Sequence, residues 1–300
     1  MKKTYSIAGA VVLVVLLGFF WFVNSEKSGT DSSNNILTPV SRFDHSHGMA
    51  LDATDVSKLF IATHDGLYVL QSDKDLYRIG SSRDDLMGFT AHPTVANSFF
   101  SSGHPARGGN IGFQKSTDGG VTWEKISQGL GGPVDFHAMT VSAANPDIVY
   151  GSFGGRLQRS ADGGRNWEYA KGAVNPISLS THPTLESIVY AATQSGVQVS
   201  EDKGDSWKSL SPQLEGGAVS VLALQPGDPQ YALAFSERLN GLGKSADGGV
   251  TWQSVAERFE GGAVLHLSFS RSEPSTVYAL TNSNTIFKSL DKGDTWTKIR

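Results

Sequence analysis

One phrase recurs five times in this chain. It reads Ser116-Thr-Asp118-Gly-Gly120-Val-Thr-Trp123, Ser160-Ala-Asp162-Gly-Gly164-Arg-Asn-Trp167 and Ser200-Glu-Asp202-Lys-Gly204-Asp-Ser-Trp207. Ser245-Ala-Asp247-Gly-Gly249-Val-Thr-Trp252 and Ser289-Leu-Asp291-Lys-Gly293-Asp-Thr-Trp296 complete the set. The serines stand 44, 40, 45 and 44 residues apart. A period in this range is the mark of a solenoid or propeller, whose units bury their faces against their neighbours. The repeat constrains the architecture and leaves the activity open.

Every copy sits in the same frame. In the fourth unit the order is Ile177 to Pro183, Ile188 to Ala192, Gly196 to Val199, the box, and a last run from Trp207. Short apolar and β-branched runs punctuated by Gly, Pro, Asn and Asp predict four antiparallel strands, A to D. A further unit lacks the box. Leu59 to His64 and Gly66 to Leu70 match strands B and C, and Ser72 falls 44 residues before Ser116, but the glycine and tryptophan are missing from Ser72 to Tyr77. Six units from about His45 to Arg300 leave no long structureless loop.

The octapeptide resembles the Asp box, or BNR repeat, of sialidases, sortilin-type receptors and photosystem II assembly factor propellers. The resemblance covers the whole chain after its N-terminal segment. It implies a tight turn between strands C and D, in which Ser and Asp bond the turn's own backbone, Gly adopts angles closed to other residues and Trp packs into the blade. It also implies that strand A lines a central channel and strand D lies outermost. The expected fold is therefore all-β: a six-bladed β-propeller with four-stranded antiparallel blades, preceded by one N-terminal transmembrane helix. Each box offers too few oxygen ligands for a calcium loop and lacks the closing Glu.

The chain divides into an N-terminal membrane anchor or signal segment (1–23), a tether (24–43) and the propeller (44–300). Lys2 and Lys3 precede an apolar run from Ile7 to Val23, long enough at its lower limit to span a bilayer. Positive charge on the amino side would keep that end in the cytoplasm and put the propeller outside. The expectation is a single-pass protein of the cell membrane, with a cleaved signal and secretion as the alternative. Residues 24–35 are rich in Ser, Asn, Gly and charge, whereas Ile36 to Phe43 is apolar enough to add a strand to the propeller. There is no cysteine, hence no disulfide framework and no thiol chemistry. A net charge of −4 argues against a nucleic-acid partner.

The D-to-A and B-to-C connections of such a propeller meet on one face, at the mouth of the channel. His92 and His182 fall in matching A-to-B turns on the other face, and His266 falls within strand A of the sixth unit. The remaining five histidines map to the mouth: His45, His47, His64, His104 and His137, with Asp44, Asp65 and Asp135. His47 shares a column with His137, and His45 shares one with Asp135. Imidazole with carboxylate, and no thiolate, suits a transition metal such as copper or zinc. The alternative is a set of polar channel residues bonded to backbone or water. Arg107, Asp135 and Arg238 are candidate ligand-binding residues on the same rim.

A His-x-His-Gly segment followed by Thr-His-x-Gly-Leu also resembles bacterial box propellers labelled glycosyl hydrolase. The sialidase pattern departs from this chain: Arg42-Phe43-Asp44 stands where Arg-Ile-Pro is expected, and no tyrosine stands beside a rim glutamate. The reading is a membrane-tethered extracytoplasmic binding or assembly module for a protein or glycan ligand. The alternative is a glycoside hydrolase of the sialidase-like type, which needs two carboxylates at a fixed separation.

Overall fold

The computed structural model describes residues 36–300. The expected membrane segment and most of the tether lie outside these residues; among the described ones, no helix is long and apolar enough to cross a membrane. Six antiparallel sheets follow one another along the chain, and each is built from one continuous stretch. Their A strands are Ser46–Leu51, Asp85–Ala91, Ala138–Val141, Ser178–Thr181, Val219–Gln225 and Val264–Phe269. Five blades have four strands. Blade 1 has a fifth, Leu37–Pro39, which pairs outside Asp75–Ile79 with Leu37 opposite Ile79. Leu37 packs onto the apolar cluster between blades 1 and 2, so the sheet takes in residues ahead of position 44.

The core lies between blades rather than inside them. Phe60, Leu67 and Val69 of blade 1 pack on Leu86, Phe89 and Phe99 of blade 2. Leu51, Ile61 and Tyr68 of blade 1 pack on Tyr278, Leu280 and Ile286 of blade 6 and so close the ring. Each fully buried Leu, Ile or Phe contributes about 1.5–3 kcal/mol.

The boxes are the C-to-D turns. In each of the five, the Ser hydroxyl bonds the Asp carboxylate and accepts the N–H of the second turn glycine position, as Ser160 does with Asp162 (2.8 Å) and Gly164 (2.9 Å). The carboxylate then accepts N–H groups three to four residues on; Asp162 takes those of Arg165 and Asn166. Gly164 has φ +85°, and a Cβ there would sit 2.0 Å from the Phe113 ring of the preceding blade. Gly120, Gly204, Gly249 and Gly293 meet Leu67, Leu157, Leu210 and Leu233 in the same way. The second glycine is thus required both by its dihedral angle and by the approach of the neighbouring blade.

Blade 1 departs from this rule. Its C-to-D turn places Ser72 and Asp73 at positive φ, and the Asp73 carboxylate reaches across to the Tyr278 hydroxyl and Lys288 Nζ of blade 6.

Hydrogen bonds from the Asn166 backbone, the Ser206 hydroxyl and the Thr251 hydroxyl hold the carboxyls of Asp162, Asp202 and Asp247 down to about 2, from an ordinary 3.8. A depressed carboxyl pKa contributes stability that is complete above the unfolded value and is lost as pH falls through the folded one. The melting temperature is therefore expected to fall steeply between pH 3.8 and about 2. Thermal melts across that window check this, and a midpoint unchanged down to pH ~2 would contradict it.

Candidate functional site

The six A strands line a channel of about 480 Å³. Its mouth carries His45, His47 and His137, and its far end carries His92, Pro93, Pro183 and Arg271. Glycines bring the first three blades close together at the mouth. A Cβ on Gly48, next to His47, would lie 2.7 Å from Phe89 Cβ of blade 2, and one on Gly88 would lie 2.3 Å from the Phe136 carbonyl of blade 3. A register shift between Ser46 and Gly48 lets His47 out of the ladder, and such bulges re-aim a side chain.

The structure divides the five mouth histidines into two groups. In the first, one ring nitrogen each of His45, His47 and His64 lie within 4.8 Å of one another, close enough to hold a metal ion. His47 Nε2 lies 3.0 Å from both nitrogens of His64, the rings crossing edge-on at 82°. Asp85 joins them: its Oδ2 lies 2.8 Å from His64 Nδ1 and its Oδ1 lies 3.4 Å from His47 Nε2. A carboxylate on Nδ1 fixes the proton there and leaves the His64 Nε2 lone pair free for a metal, the usual support of a metal-bound imidazole. Metal–nitrogen bonds of about 2.1 Å put two ligand nitrogens about 3.0 Å apart at the right angles of square-planar copper(II) and about 3.4 Å apart around tetrahedral zinc.

Burial pushes the His47 imidazole down to about 4, against the opposing pull of Asp85, with His64 and His45 reinforcing the fall. Its lone pair is therefore open to a metal at neutral pH. His45 is exposed, with its ring stacked 5.6 Å from that of His64.

In the second group, His104 Nε2 and His137 Nε2 each lie 2.9 Å from Asp135 Oδ2. His104 Nδ1 donates to the Gly109 carbonyl at 2.9 Å. That carbonyl raises the His104 pKa, opposed by partial burial and helped by Asp135 and Asp85. Asp135 is buried, and its Oδ1 has no hydrogen-bond partner.

Two residues at the mouth escape a reading of the sequence. Asp85 opens strand A of blade 2 in the column of His45 and Asp135, and that column was the available signal. His266 lines the channel beside blade 1, and burial, then the neighbouring His47, push it down to about 4. Its Nε2 is shut off from solvent and unpartnered, although part of the residue surface faces the channel.

The candidate arginines do not join these groups. Arg107 is exposed in the B-to-C loop of blade 2. Arg238 lies on the turn Glu237–Leu239 of blade 5 and donates from Nε to the Glu215 carbonyl. Arg156 stacks over the Tyr169 ring, and Asp65 pairs with Arg78 and Arg83. His92 and His182 are turn residues: each Nδ1 accepts two backbone N–H groups, those of Thr94 and Val95 and those of Thr184 and Leu185.

The family model of the BNR/Asp-box repeat matches residues 114–125. No curated protein sequence matches the chain. Among solved structures, a GH74 enzyme of Niastella koreensis is similar at a TM-score of 0.64 and 16% identity, over 88% of this chain and 46% of that one. The GH74 xyloglucanase of Xanthomonas campestris is similar at 0.55 and 15%, over 86% and 54%. The chain thus spans about half the length of these enzymes. YCF48, in a structure bound to D1 peptide, is similar at 0.55 and 14%, over 88% and 85%. The chain is thus a six-bladed β-propeller with five self-bonded box turns, one of which the BNR/Asp-box repeat model matches.

Proposed function

We propose that this protein is a binding propeller that presents a divalent transition ion, copper or zinc, at its channel mouth. The observation that carries the reading is the convergence of His45, His47 and His64 within 4.8 Å, with Asp85 behind His64. All the donors are imidazole or carboxylate, the set preferred by copper and zinc where thiolate is absent. The ion would either bind a protein or glycan ligand directly or order the rim that does so. YCF48, of the same fold, holds a peptide, which supports a protein ligand. Calorimetric titration of the full-length protein with copper(II), zinc(II) and nickel(II) tests this, and binding weaker than roughly 10 μM for all three would reject it.

The likeness to GH74 propellers supports a second reading, glycoside hydrolysis. It is disfavoured because Asp85 and Asp135 are each engaged by two histidines rather than standing free across a sugar site. Hydrolysis of xyloglucan by protein treated with chelator would decide for it.

We place the propeller outside the cytoplasmic membrane, anchored by residues 1–23. The support is Lys2 and Lys3 ahead of an apolar run from Ile7 to Val23. Protease applied to intact cells should remove the propeller and leave a short membrane-bound stub. A mature protein in the medium beginning near Glu26 would instead establish a cleaved signal.

A further inference from the structure

The end of the channel opposite the histidine mouth carries a positive charge that no neighbouring side chain balances. We propose that this end is an anion site, in which the Arg271 guanidinium holds the carboxylate or phosphate group of a small molecule seated in the channel. The site shares no residue with the metal position and does not depend on it.

Three observations carry it. Arg271 lies in the turn between strand A (Val264–Phe269) and strand B (Val277–Thr281) of blade 6, lines the channel there and is partly buried. Burial alone draws its pKa below the ordinary value, and no carboxylate among the described residues holds it up. Glu273, two residues on, is exposed, and its Oε2 accepts from the Thr276 hydroxyl instead. Second, Asp52 is the one carboxylate among the described residues that lines the channel, and its oxygens are already taken. Oδ1 accepts the Thr54 N–H, the Thr54 hydroxyl and the Asp55 N–H, and Oδ2 accepts the Asn97 N–H at 2.7 Å. Third, His92 lines the same end of the channel from the A-to-B turn of blade 2. Its Nδ1 accepts two backbone N–H groups, so the ring proton sits on Nε2 and that atom can only donate. Arg271 and His92 therefore both present N–H groups at this end.

A guanidinium walled into a channel without a counter-charge has given up hydration with no compensation, and an anion restores it. Its planar fork of donors matches two oxygens of a carboxylate or phosphate. The channel, about 480 Å³, lies within the range of about 300–1,000 Å³ usual for small-molecule sites, so the ligand is larger than a bare ion. Met49, Phe89 and Leu222 supply apolar wall, and Thr90, Thr140 and Ser178 supply hydroxyls, a lining suited to a body of mixed polarity.

The test is calorimetric titration of full-length protein, free of metal and chelator, at pH ~8 where imidazoles are largely uncharged. The probes are inorganic phosphate and, separately, succinate. One equivalent of at least one probe should bind with a Kd tighter than roughly 1 mM, and the tighter of the two identifies the head group. Arg271→Gln should weaken that binding at least about tenfold. Arg271→Lys, which keeps the charge and loses the fork, should fall between the two. His47→Ala and Arg107→Gln, both at the mouth, should bind as the wild type does. Without ligand, Arg271→Gln should melt no lower than the wild type, because it removes an unbalanced charge. Saturating probe should raise the wild-type midpoint and leave that of the variant unchanged. Binding weaker than roughly 1 mM for both probes, or a loss of less than about tenfold in Arg271→Gln, overturns the proposal. Loss in His47→Ala or Arg107→Gln instead would place the anion at the mouth and overturns it as well. Since no metal is present, failure here leaves the metal reading standing.

Discussion

Trp252→Ala is expected to lower the folding stability by about 3–5 kcal/mol, the usual cost of truncating a buried Trp. Trp252 is 5% exposed and packs between blades 4 and 5 on Tyr190, Val197, Val199 and Leu214. Its indole N–H donates to the Gly249 carbonyl at 2.8 Å, and its backbone N–H donates to Gln213 Oε1 at 2.7 Å. The substitution would open a cavity and remove the indole's hydrogen bond to Gly249. Trp167→Ala should cost less, because Trp167 is only partly buried, although its ring packs edge-on against Phe113 and at a tilt against Phe136. Urea denaturation of both variants measures the difference. The folded fraction should bind metal as tightly as the wild type. An unchanged midpoint with lost binding would show that the boxes serve a site rather than the scaffold.

His47→Ala should weaken metal binding by two orders of magnitude or more. Losing an outer hydrogen-bond partner of a ligand costs roughly 10–100-fold, and losing the ligand itself costs at least as much. The side chain is 11% exposed, and burial holds it uncharged, so removing it leaves no buried charge behind. The melting temperature of the metal-free variant should stay near that of the wild type. His182→Ala is the control: its ring serves an A-to-B turn on the opposite face, and its removal should leave metal affinity intact. Calorimetric titration separates the cases. Equal losses in the two variants would assign the effect to general destabilisation.

The box turns were legible because their chemistry is local. Ser160, Asp162 and Gly164 bond within one octapeptide, so their spelling states their hydrogen bonds. Blade number followed from the period, and the rim position of His45, His47 and His64 followed from columns of the repeat. The contacts between blades were not legible. Nothing near Gly164 in the chain says that it will rest on Phe113 of the preceding blade. Asp85 lay hidden because its segment, Asp84-Asp85-Leu86-Met87, contains no histidine, and only the approach of blades 1 and 2 brings it to His47 and His64. His266 follows a register shift at Leu265, and its burial against blade 1 comes from the closing of the ring, which the local sequence does not state. Arg107 and Arg238 were grouped because their loops share a face, but a shared face does not fix where a long side chain ends.

The turn of blade 1, in which Asp73 clasps Tyr278 and Lys288, bears on how the ring can move. Among the described residues no strand ladder joins any two blades, and blades 6 and 1 also lack a linking chain segment, so this seam is held by contacts that involve side chains. Besides the clasp there is the Ser268 hydroxyl, which accepts the Leu51 N–H at 3.2 Å, and the apolar packing around Tyr278. Local opening, when it occurs, should begin here, where no chain connection joins the two blades. His45 and His47 stand on one lip of that seam and His266 on the other. Breathing of the ring and loading of the mouth with metal would then be thermodynamically linked: an ion that binds the shut ring more tightly holds it shut, and a firmer clasp holds the ion longer.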